Sequence, residues 1–185
     1  MNFESEMEAS PLSPEQLADL QASALERAAA EVAAAQHATD AAELFIALPS
    51  AAIAAFRLGQ HANAEDFAQQ CLTLAPQFVR TWNHGNAIHF GHTTLGLLAL
   101  ERGDVGLAME ELQRAGATPG SPQLNSFGPT MQLARALLAR GQPAAVLQYL
   151  QQCRSFWRLG GVWLDLWEAK VRSGGVPNFT INLYR

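Results

Sequence analysis

Basic charge, cysteine and long apolar runs are all scarce in this chain of 185 residues, and each scarcity excludes a class of protein. Lys and Arg number 12 against 17 Asp and Glu, a net charge of −5. No basic field exists of the kind that binds a phosphate backbone, so nucleic acid is not an expected partner. Two distant cysteines, Cys71 and Cys153, make neither a disulfide framework nor a zinc pattern. The most apolar uncharged stretch, residues 44–56, is interrupted by Pro49 and falls short of the roughly 20 residues that span a bilayer. Residues 1–13 carry three glutamates and no Lys or Arg, unlike the basic start of a secretion signal. A cytoplasmic protein without a membrane partner is the expectation. The nucleophile elbow, the phosphate loop and the His-Glu-x-x-His zinc motif are missing too. No cofactor is therefore expected, and an enzyme is less expected than a binding protein.

The chain does have helix signals in quantity. Ser13-Pro14-Glu15-Gln16 reads as a helix start, with Ser13 as N-cap, proline in the first position and Gln16 closing a capping box. Apolar residues then recur at helical spacing to about Gln36, and Asp40 caps a second helix over 41–58 that Pro49 should kink or break. Gly59, Gly103 and Gly141 each follow an Ala/Leu-rich run and precede a polar residue. Such a glycine ends a helix in the left-handed conformation and allows the next helix to start at once. Five residues further on stand Ala64, Ala108 and Val146, small enough for the second helix to lie close against the first. Strand signals barely compete. Asn-Gly turns are absent, and period-two alternation is clear only in Phe179-Thr-Ile-Asn-Leu183. The pattern predicts an all-α fold of about seven to nine helices in antiparallel pairs.

These residues resemble the tetratricopeptide repeat. The best unit runs Leu95-Gly96, Ala99, Gly103, Ala108, Leu112, Ala115 and Pro119. An earlier one matches at Ala52, Gly59, Ala64, Cys71 and Pro76, and a third at Ala134, Gly141, Val146 and Cys153. The turn glycines are 44 and 38 residues apart, where the family repeats every 34 or so. Ala99 and Leu112 also stand where the family usually has aromatics. The resemblance implies a short, divergent α-solenoid of stacked helix pairs and a protein or peptide as partner. The domain reading is an acidic flexible tail over 1–12, one helical-repeat domain over 13–175 and an extended tail over 176–185. The repeat cysteines Cys71 and Cys153 read as core.

Two segments do not belong to the repeat. The first, 77–94, is expected to extend the helix that carries His84, His89 and His92. On that helix Asn86 and His89 share a stripe, with His92 one turn on, while His84 points elsewhere. Gly91 and Gly96 mark the helix as central and crowded. The second segment, 116–129, holds three prolines and three glycines and reads as a non-helical loop or linker. Asn83, Asn86, His89, His92, Asn125 and Ser126 form the candidate ligand- or partner-binding set. The expectation is that the loop packs over the histidine helix and brings Asn125 or Ser126 within hydrogen-bond reach of it. A metal is not expected, because no Asp or Glu lies between Asp66 and Glu101 to complete a histidine pair. Three functions follow in order. The first is an interaction module. The second is a small-ligand-binding protein or enzyme with its site at Asn86, His89, His92 and the 121–129 loop. The third is a bacterial scaffold subunit that self-associates through an exposed Trp/Phe surface; Trp163 and Trp167, one turn apart, read as core or as an inter-subunit face, and Trp157 with Phe156 as a cap on the end of the solenoid.

Overall fold

The computed structural model describes residues 5, 12–179 and 182–184. The acidic segment read as a flexible tail therefore lies, apart from Ser5 and Leu12, outside the described residues, as do Thr180, Ile181 and Arg185. The described residues are helical and contain no strand. In chain order the helices are α1 (Pro14–Gln36), α2 (Ala41–Arg57), α3 (His61–Leu74), α4 (His84–Glu101), α5 (Val105–Gly116), α6 (Pro122–Phe127), α7 (Gln132–Ala139), α8 (Pro143–Cys153) and α9 (Gly161–Arg172). Short 3-10 turns occupy Ala75–Gln77 and Arg158–Gly160. None of these helices is long and apolar enough to cross a membrane.

Local chemistry sets most boundaries. Ser13 Oγ accepts the Gln16 amide at 3.1 Å while Gln16 Oε1 accepts the Ser13 amide at 2.9 Å, the reciprocal bonds of a capping box. Asp40 takes the amides of Ala42 and Glu43, and Asp104 takes that of Leu107. Gly59, Gly103 and Gly141 have φ of 72°, 80° and 71°. After each, the next amide bonds the carbonyl five residues back: Gln60 to Ala55, Asp104 to Ala99, Gln142 to Leu137. These are three copies of one Schellman cap, and Gly174 (φ 82°) makes a fourth, with the Gly175 amide on the Lys170 carbonyl. Nothing lies within 4 Å of the position a Cβ would take on Gly103. Gly103→Ala should therefore cost only the left-handed strain, about 1 kcal/mol, read as a lower urea midpoint at unchanged slope. An unchanged midpoint would refute the cap.

α4 is the central element. It packs against α2, α3, α5 and α7, and α6 rests on it as well. One core cluster gathers α1–α3 with Ala87 and Leu98 of α4, around Phe45, Leu48 and Cys71. The other gathers α5, α7, α8 and α9 with Leu97 and Leu100 of α4. Gly91 lets α3 approach, since an added Cβ would stand 3.1 Å from the Ala68 carbonyl oxygen. Trp167 is fully buried, with ring centroids of Trp157 at 5.5 Å and Phe179 at 5.0 Å. Trp157 and Phe156 are buried and Trp163 is half-buried, so this aromatic group is mostly interior. Cys71 and Cys153 are free and buried, and burial pushes both thiols upward, away from the reactive thiolate.

Four local readings need correction. At Pro49, where a kink or a break is expected, α2 runs on without a break. α4 begins at His84 and not near Gln77, because the segment before it is spent on turns, with the Thr81 amide and hydroxyl both on the Phe78 carbonyl. The 116–129 segment contains a short helix, α6, whose start is Ser121-Pro122. The 176–185 segment, read as extended, bends at Phe179 (φ 53°), and Phe179, Asn182 and Leu183 are buried. The Asn182 amide donates to the Phe179 carbonyl, and residues 182–184 form a turn.

Candidate functional site

Pro49 has no amide, so the carbonyl of Phe45 four residues back loses its helical partner. Asn83 supplies the replacement: its Nδ2 donates to the Phe45 oxygen at 2.7 Å. This bond satisfies the carbonyl that Pro49 leaves without a helical partner. It also starts a relay. Asn83 Oδ1 accepts from Asn86 Nδ2 at 2.9 Å, and Asn86 Oδ1 accepts the Ser121 hydroxyl at 2.6 Å. Ser121 Oγ in turn caps α6 by accepting the Leu124 amide at 2.9 Å. The second hydrogen of Asn86 Nδ2 goes to Gln123 Oε1. Asn83 and Asn86 are buried, so each bond spares a desolvated polar atom roughly 1–3 kcal/mol. The relay ties α2, α4 and α6 together.

The loop does fold over α4, through residues other than those expected. Ser121 and Gln123 reach Asn86, and the Thr118 hydroxyl donates to the Gly85 carbonyl at 2.7 Å. Asn125 instead turns away, its Oδ1 accepting the Arg158 amide at 3.3 Å, and Ser126 is exposed. The proline before Gln123 is the reason. Ser-Pro at 121–122 starts a helix as it does at 13–14, and N-cap geometry aims the Ser121 hydroxyl at the helix mouth, beside Asn86. That repeat of the Ser-Pro pattern was the available signal.

His89 and His92 do not share a site. His89 is fully buried between the Ala115 carbonyl, 3.4 Å from Nδ1, and the Thr130 amide, which donates to Nε2 at 3.2 Å. An amide proton at Nε2 requires a lone pair there, so the proton of the neutral ring sits on Nδ1. Burial pushes its pKa down to about 4. His92 faces α5, its Nδ1 2.7 Å from Glu111 Oε2, and Arg114 holds the other oxygen of that carboxylate. Burial disfavours the Glu111 charge, but His92 and Arg114 together outweigh it and hold the carboxyl below its usual range. Sequence distance concealed this partner, which α5 brings in across the Gly103 turn. His84 lies apart, with Nδ1 3.1 Å from the Ala75 carbonyl. Among the described residues no three His, Cys, Asp or Glu side chains converge as a metal site would need.

His89 is part of a larger task. Residues 128–131 are buried without regular structure, so every backbone group there needs a partner. His89 takes the Thr130 amide and the Tyr149 hydroxyl donates to the Thr130 carbonyl at 3.4 Å. Asn182 Nδ2 donates to the carbonyls of Phe127 and Pro129 at 2.9 and 2.8 Å, and the Asn182 carbonyl accepts the Met131 amide. The C-terminal segment is thereby built into the loop it covers.

Above the relay the surface is open and apolar. Ile46, Trp82 and Phe127 are 52%, 47% and 53% exposed. One cleft of about 270 Å³ lies between Phe45, Ile46, Phe78, Arg80 and Trp82, floored by the Phe45–Phe78 ring stack. A second, of about 200 Å³, lies between Ser50, Asn86, Phe90, Gln123 and Phe127. Sequence reasoning included Asn83 and Asn86, which line these clefts, and missed Ile46, Trp82 and Phe127. In comparisons with known proteins, no family model, no curated protein and no solved structure matches this chain.

Proposed function

We propose that this chain is a protein- or peptide-binding module of the helical-repeat type, with the α2–α4 face as its binding surface. One observation carries the reading. The polar side chains of Asn83, Asn86 and His89 are engaged by the chain itself, while the apolar side chains beside them, Ile46, Trp82 and Phe127, stand half exposed around two clefts. Large apolar side chains grouped on a surface mark binding sites more often than single ones do. The packing order supports the repeat reading. The pairs α2–α3, α4–α5 and α7–α8 each turn at the same glycine cap, and α4 packs on both α2 and α7. A stack of such pairs makes an extended concave surface of the kind that takes a partner. A ligand or enzyme site at Asn86, His89 and His92 gains less support, since a ligand there would have to displace bonds that hold α6 and residues 128–131 in place.

The test is affinity capture from the native lysate with the chain as bait, run beside an Ile46→Asp/Phe127→Asp double variant. Both positions are exposed, so the variant should keep its circular dichroism spectrum and melting temperature. A partner retained by the parent and lost by the variant is the expected result. Identical captures from the two baits would dispose of this reading.

A further inference from the structure

We infer that the two clefts on the α2–α4 face take a short linear peptide segment with two apolar side chains one residue apart and an acidic residue on the Trp82 side; this rests on the proposed interaction role. The spacing comes from the helices. Ile46 borders the first cleft and Ser50 the second, one turn on along α2, while Asn83 and Asn86 do the same at α4. One helical turn is about 5.4 Å. Alternate side chains of an extended chain lie on one side at about 6.6 Å, so residues i and i+2 of a peptide meet successive clefts. The sizes, about 270 and 200 Å³, leave room for one large apolar side chain in each cleft.

The charge comes from Arg80. Among the described residues it is the only charged side chain lining either cleft. The nearest acid in sequence on α2, Glu43, turns back to accept the Thr39 amide and hydroxyl at 3.0 and 2.8 Å. Arg80 stands between the exposed Val79 and Trp82, so a carboxylate meeting it sits beside the apolar anchor. The segment is short because the two clefts share no lining residue with the next opening along α2. Arg57, three turns beyond Ile46 on the same side of α2, lies 5.7 Å from the Tyr184 ring centroid, and Gln21 donates to the Tyr184 hydroxyl. That opening, of about 300 Å³, is lined by Gln21, Phe56, Arg57 and Tyr184, so the C-terminal segment forms a wall of it and none of the two clefts.

The experiment is selection of a displayed library of random linear 12-residue peptides (about four times the length two clefts read) on the intact chain. Selected peptides are then titrated calorimetrically against the parent, R80E, W82A and F127A. The expected result is enrichment of two apolar residues one apart with Asp or Glu flanking them. R80E should weaken these peptides about tenfold, and exchanging their acid for Lys should restore binding to R80E alone. W82A should abolish binding in both backgrounds. Peptides that lose binding on W82A but show no acid and ignore R80E would overturn this inference while leaving the interaction role intact. An empty selection, with the captured partner still sensitive to the Ile46/Phe127 double variant, does the same. Peptides indifferent to both W82A and F127A, together with identical lysate captures, would bring down both.

Discussion

Gly85→Ala is expected to destabilise the chain by about 3 kcal/mol or more, or to prevent folding. Gly85 is in the first turn of α4, where an added Cβ would overlap the Gly120 carbonyl group. The obstacle is backbone on both sides, so no rotamer change can relieve it. Relief requires moving the 117–121 loop, which breaks the bond from Thr118 to the Gly85 carbonyl and the bond from Ser121 to Asn86. Gly106→Ala is the matched control. Gly106 lies in α5, and an added Cβ there finds only Asp104 Oδ1, at an ordinary 3.5 Å. That substitution should be neutral or stabilise by up to about 1 kcal/mol through helix propensity. Urea unfolding of the two variants gives the comparison directly. If both behave alike, the loop does not sit on α4 as described.

His89→Ala should cost on the order of 4 kcal/mol, because it removes a buried ring and leaves two buried backbone groups, the Thr130 amide and the Ala115 carbonyl, without partners. The parent should also lose stability in acid. Folding holds the His89 pKa at about 4, below the unfolded value near 6.5. The unfolded chain therefore binds the proton first. The contribution of His89 is complete above pH 6.5 or so and is lost progressively as pH falls toward 4, about 3 kcal/mol in all. His89→Gln keeps an acceptor for the Thr130 amide but cannot titrate, so its stability should change less across that window. Stability measured by urea at several pH values, with the ring proton shifts followed by NMR, checks both statements. A His89 that titrates near 6.5 in the folded chain would refute its burial.

The helix starts and stops were legible because capping is a local matter. Ser13 with Gln16, Asp40 with its two amides, and the left-handed glycines at 59, 103 and 141 each depend on bonds reaching no more than five residues along the chain. Residue type and spacing therefore determined the all-α class, the three turns and the crowding of α4 around its glycines. They also placed the loop over the histidine helix. The partners within that contact were another matter. A buried polar side chain takes whichever group the fold sets within about 3 Å, and nothing in the local sequence names that group. So Asn83 meets a carbonyl freed by a proline 34 positions earlier in the chain, at residue 49. His92 meets a carboxylate on the next helix, and His89 serves the backbone of a buried loop. The final segment shows the same limit. Alternation in 179–183 suits an extended strand only if a sheet edge is available to pair with it. Here the carbonyls of Phe127 and Pro129 take their donor from the side chain of Asn182, which is buried.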